Sequence, residues 1–109
     1  MPKKCWQMSP QHQKARAKIR EELKKVYPSA NDLKNRLIEI QGNDDTIEYD
    51  TCYALAQELF KDWYFDDIRQ FYYECGYLKE YEKSHPRVVR EHYRRVANVI
   101  LMNIHNNYN

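Results

Sequence analysis

Pro86-Arg87-Val88-Val89-Arg90-Glu91-His92-Tyr93-Arg94-Arg95-Val96-Ala97-Asn98-Val99-Ile100-Leu101-Met102-Asn103-Ile104 is the stretch on which the fold turns. At 100° per residue, Val89, Tyr93, Val96, Ile100 and Ile104 fall within roughly 80° of one another, the apolar stripe of an amphipathic helix and not the alternation of a strand. Ser84-His85-Pro86 supplies the start, with proline in the first turn where its missing N–H costs nothing. The stripe is predicted to enter the core. Arg87, Arg90 and Arg94 lie within about 60° of one another on the outward side.

Upstream, the same punctuation recurs. Ser9-Pro10 reads as an N-cap with a first-turn proline, and Ala15, Ile19, Leu23 and Val26 form one stripe until Tyr27-Pro28 stops a helix over residues 10–27. Ser29 or Asn31 caps a second, carrying Leu33, Leu37 and Ile40 and closed by Gly42. A third starts at Thr46 or Asp50 and carries Cys52, Ala56, Leu59, Phe60 and Trp63. Asp66 caps a fourth with Ile68, Phe71, Tyr72 and Cys75, which either ends at Gly76 or runs through it to Tyr81.

Gly42 and Gly76 are the only glycines, which leaves few positions for the positive-φ turns of β-hairpins. The expected fold is all-α: a compact bundle or orthogonal packing of about five helices. It forms a single domain over residues 1–109, with residues 1–8 as a basic arm that need not be ordered.

Composition narrows the function classes. Apolar residues make up 42% and charged residues 31% of the chain, which suits a globular domain and not a disordered tail. Val96 to Tyr108 is too short and too polar for a membrane span, and no signal-peptide core follows the basic start, so no membrane partner is expected and the location read is intracellular, cytoplasmic or nuclear. Cys5, Cys52 and Cys75 are widely spaced, with no second cysteine or histidine within zinc-ligand reach, and read as free thiols.

Catalytic patterns are missing: there is no glycine-rich phosphate loop and no G-x-S-x-G. Glu82-Lys83-Ser84-His85 has a di-iron spacing but no second copy, and reads as a helix cap. The expectation is a protein that is not an enzyme and needs no cofactor or metal.

The informative signal is charge order. Residues 1–28 hold eight basic residues against two acidic, a balance of +6; residues 29–82 hold five against thirteen, −8; residues 83–109 hold five against Glu91, +4. Basic and acidic helices packed side by side would account for this without a ligand. The functional reading is a cationic surface for nucleic-acid phosphates, built from Lys14, Lys18 and Lys25 of the first helix and Arg87, Arg90, Arg94 and Arg95 of the last. Four arginines without a lysine in one helix favour bidentate anion contacts.

The alternative reading lies in the acidic middle. Tyr64, Tyr73, Tyr77 and Tyr81 are interleaved with carboxylates such as Asp66 and Asp67, a surface that would repel phosphate and attract a basic protein partner or a second copy in a homodimer. Within it, Ala54-Leu55-Ala56-Gln57-Glu58-Leu59, Ile68 and Gly76-Tyr77-Leu78 resemble a winged-type helix-turn-helix. The pattern departs from that family at Lys61-Asp62-Trp63, which lacks the turn glycine, and at Asp66-Asp67, whose sign is wrong for a helix entering a phosphate-lined groove.

Overall fold

A computed structural model describes residues 9–77, 86–106 and 108, with Pro86 and Arg87 described by backbone alone. Five helices follow in order: α1 Pro10–Val26, α2 Ala30–Gln41, α3 Tyr49–Leu59, α4 Phe65–Glu74 and α5 Pro86–Asn106, with no strand among the described residues. The fold is the all-α packing that the apolar periodicity predicts.

Most of the punctuation acts as read. Ser9 Oγ accepts from the His12 backbone N–H at 3.1 Å ahead of Pro10. Ser29 Oγ accepts from Asp32 N–H at 3.1 Å while Asp32 Oδ2 accepts from Ser29 N–H at 3.3 Å, a reciprocal box that satisfies two orphan donors of α2. Gly42 closes α2 in the left-handed region at φ 89°. α3 opens at neither of its predicted caps. Gln41 Oε1 instead accepts from the Glu48 N–H at 3.1 Å and the Thr51 hydroxyl at 2.8 Å, so a side chain from α2 holds the first turn of α3. α4 is also capped differently: Asp67 Oδ2 accepts from Tyr64 N–H at 2.8 Å, whereas Asp66 pairs with Arg69 at 3.4 Å. The Trp63 N–H bonds back to Phe60 O at 3.0 Å, so the chain re-enters helix early and the third position of its first turn falls on Asp67.

Gly76 ends α4. Its φ is 102°, the Tyr77 N–H reaches Tyr72 O at 2.9 Å and the Gly76 N–H reaches Tyr73 O at 3.0 Å, the paired bonds of a Schellman terminus. A Cβ here would meet Gln11 Cγ at 2.9 Å, whereas one at Gly42 meets nothing within 4 Å. Gly76→Ala is therefore expected to cost about 1–2 kcal/mol from the backbone alone, with a further loss from displacing Gln11, and its urea midpoint should fall further than that of Gly42→Ala.

α5 is the hub. It packs against each of the other four helices, most extensively α3. Its buried set is Val88, His92, Val96, Ala97, Val99, Ile100 and Asn103, while Val89, Tyr93 and Ile104 of the predicted stripe are only half-buried. The inward face is thus rotated from the apolar stripe and takes in two polar residues, because a helix surrounded on several sides buries a wider arc than one apolar stripe covers. Both have partners: Asn103 Nδ2 donates to Val99 O at 2.7 Å, and His92 Nδ1 lies 2.6 Å from Tyr72 Oη. Val26, at the edge of the α1 stripe, is 56% exposed. Cys52 and Cys75 are buried free thiols, and burial pushes Cys52 up to about 11, away from nucleophilic chemistry at neutral pH.

Candidate functional site

α1 and α5 lie side by side and run in the same direction. Arg95 Nε donates to His12 Nδ1 at 3.3 Å, the Arg16 guanidinium touches Met102 Sδ, and Tyr108 Oη donates to Tyr27 O at 2.7 Å. The sequence offset of these pairs stays nearly constant, as parallel neighbours require. Along the seam α1 presents His12, Arg16, Arg20 and Lys24, spaced four residues apart and so about 6 Å along the axis from one to the next. Each of the last three follows directly on a core residue, Ala15, Ile19 or Leu23, and so stands about 100° round from it.

The seam is electrostatically crowded. Burial and the charges of Arg20 and Arg95 hold the Arg16 guanidinium below its ordinary range, and burial followed by the charges of Arg95 and Arg16 lowers His12. Arg95 reaches Tyr77 Oη at 3.5 Å and lies 5.0 Å and 5.5 Å from the ring centres of Tyr72 and Tyr77. Lys24 Nζ sits 5.5 Å over the Tyr108 ring. Aromatic rings thus steady Lys24 and help to steady Arg95.

Beside the seam runs the outward face of α5. Arg90, Arg94, Asn98 and His105 are exposed there, with half-buried Glu91 the acidic residue among them. Arg94 is close enough to Tyr49 of α3 for its charge to pull against the rise that burial imposes on that phenol. The arginines foreseen on α5 accordingly divide: Arg90 and Arg94 face solvent, while Arg95 is half-buried against α1. Arg87 lies on α5, its side chain outside the described residues.

The lysines foreseen on α1 are on its other side. Lys18 Nζ bonds Glu74 Oε1 of α4 at 3.2 Å and lies 5.4 Å over the Phe71 ring, and Lys25 pairs with Glu22 at 3.1 Å. Lys14 is exposed and acts with Lys18 to lower Glu74, after the hydrogen bonds from Gln70 and Lys18. Distributed this way, the lysines do not join the α5 arginines. On the α5 side of α1, Arg16 lies close to Arg20 and Arg95, with Lys24 further along the same edge; a search for lysines in the first helix passes over the two arginines, and the four-residue spacing was the signal that could have found them.

The chain matches no protein-family model, and no curated protein or solved structure matches it. Its own residues therefore carry the functional argument.

The acidic set also divides. Tyr64 is 78% and Tyr73 56% exposed, and Asp66 and Asp67 are exposed, whereas Tyr77 packs edge-on to Tyr72 at 5.6 Å and belongs with Arg95. Tyr81 lies outside the described residues. Part of the middle block is neutralised inside the fold, since Arg36 bridges Glu39 at 2.8 Å and Glu58 of α3 at 2.7 Å. No group of three residues able to hold a metal ion occurs among the described residues, and no helix among them is long and apolar enough to cross a membrane.

Proposed function

We propose that this is a non-enzymatic nucleic-acid-binding protein that grips phosphates with the outward face of α5 and the adjoining edge of α1. The observation that carries the reading is the convergence of two basic blocks, distant in sequence, at the α1–α5 seam: Arg16 feels the charges of both Arg20 and Arg95, Arg95 bonds His12, and Arg90 and Arg94 are exposed on the outward face of the same helix α5. Guanidinium groups suit this task because each offers a planar fork of donors that matches phosphate oxygens. Exposed Asn98 and His105 add hydrogen-bonding groups along the same face. The carboxylates of α4 lie on the other edge of α1, where Lys18 pairs with Glu74, away from the seam with α5.

Salt dependence tests it. Four to six phosphate contacts give a logarithmic slope of affinity against salt of about −3 to −5, at about −0.9 per contact on duplex and −0.7 on single strands. Fluorescence anisotropy with a generic DNA and a generic RNA should show such a slope. Arg90→Ala with Arg94→Ala should flatten it by up to about two units, and Arg16→Gln with Arg20→Gln by a similar amount, whereas Lys25→Gln should leave it nearly unchanged. A parent protein that does not bind at about 50 mM salt, where phosphate attraction is strong, sinks the reading.

A further inference from the structure

On the opposite side of α1 a groove of about 650 Å³ runs between α1 and α4, and Lys18, Glu21, Glu22, Asp62, Trp63, Asp67, Gln70, Phe71 and Glu74 line it. Two features make it more than an acidic surface. Its floor is aromatic: Trp63 and Phe71 meet edge-to-face at 5.5 Å, and Trp63 is held from beneath by stacking on buried His92 at 5.8 Å. The groove also already holds one cationic side chain. Lys18 reaches across it, its Nζ 5.4 Å over Phe71 and 3.2 Å from Glu74, so ring below and carboxylate beside is the way this groove binds an ammonium group.

Trp63 is the second ring of the floor. It is half-buried, no cation lies over it among the described residues, and Glu21 and Asp62, both exposed, line the same groove. Indole is the strongest cation–π platform of the aromatic side chains. We infer that the α1–α4 groove docks a lysine- or arginine-bearing extended segment of a partner protein, one cationic side chain lying over Trp63 between Glu21 and Asp62.

Charge complementarity fixes the class of occupant. Even with Lys18 on Glu74 and Lys25 on Glu22, the five carboxylates leave the groove acidic and repel a phosphate backbone, so this site is separate from the face of α5 and does not depend on the function proposed for that face. A second copy of this chain fits poorly. The cations along its seam are half-buried or spread over aromatic rings, Arg95 on Tyr72 and Tyr77 and Lys24 on Tyr108, and are not projected as a narrow segment that a groove can admit.

The test is fluorescence anisotropy of a short labelled peptide alternating alanine with arginine, titrated with the full chain at about physiological salt. Saturable binding is expected. Glu21→Gln with Asp62→Asn, both exposed and nearly isosteric, should weaken it by about tenfold, and Trp63→Phe should weaken it while preserving the helical circular dichroism. Asp44→Asn with Asp45→Asn removes equal charge elsewhere and should change little, as should Arg90→Ala with Arg94→Ala. Absent binding, equal loss in the two carboxylate pairs, or concentration-dependent self-association that Glu21→Gln with Asp62→Asn abolishes would overturn the assignment.

Discussion

Between pH 7 and about pH 4.5 the protein should lose roughly 2–3 kcal/mol of stability through one residue, His92, at about 1.4 kcal/mol per pH unit. His92 is fully buried at the junction of α3, α4 and α5, with the rings of Phe60, Trp63, Phe71, Tyr72 and Tyr93 centred between 4.7 and 5.9 Å away. Burial, then the charge of Arg95, drives it down to about 3. The folded state therefore keeps the ring neutral while the unfolded chain takes up a proton near its ordinary value of 6.5. A depressed value means that stability is complete above about pH 6.5 and falls as the pH drops through the window down to about 3. Urea unfolding of the parent and of His92→Gln at the two pH values isolates the effect. Glutamine can still accept from Tyr72 Oη but does not titrate, so the variant should lose markedly less on acidification. An acid loss of equal size in both proteins would place the titration elsewhere.

This histidine marks the limit of what periodicity can show. The five helices, the Ser9 and Ser29 caps and the glycine stop after α2 follow from local chemistry, since a cap or a positive φ is decided within a few residues. The inward face of α5 is not local. Its apolar stripe centres near Val96 and Ile100, but packing against four neighbours draws in His92 and Asn103; Asn103 bonds back to Val99 one turn earlier in the same helix, whereas Tyr72, the partner of His92, becomes visible only in the folded arrangement. The same holds for the seam. In α1, Lys14 and Lys18 precede the core residues Ala15 and Ile19, while Arg16 and Arg20 follow them, so the two sets stand on opposite edges of one buried stripe. Both edges are legible as basic. Which edge meets acidic α4 and which meets basic α5 depends on the side on which those helices pack, and the chain carries no short-range signal for that.

Ile100→Ala should destabilise the fold by about 2–5 kcal/mol, while Val26→Ala should lie within about 0.5 kcal/mol of the parent, although both residues belong to predicted apolar stripes. Ile100 has no exposed surface, and at the hub helix neither neighbour can collapse into a cavity without dragging a second helix with it. Val26 is 56% exposed at the end of α1 and leaves no cavity. The contrast also supplies the control that the proposed function needs. If nucleic-acid affinity comes from the arginines, Ile100→Ala should reduce only the folded fraction and leave the salt slope of the folded protein intact, because every phosphate contact survives. Arg90→Ala with Arg94→Ala should do the reverse, holding the urea midpoint and flattening the slope, since both side chains are exposed on the outward face of α5. Should the two variants instead lose stability and slope together, Arg90 and Arg94 would belong to the packing of α5, and the phosphate contacts would have to be sought along Arg16, Arg20 and Lys24.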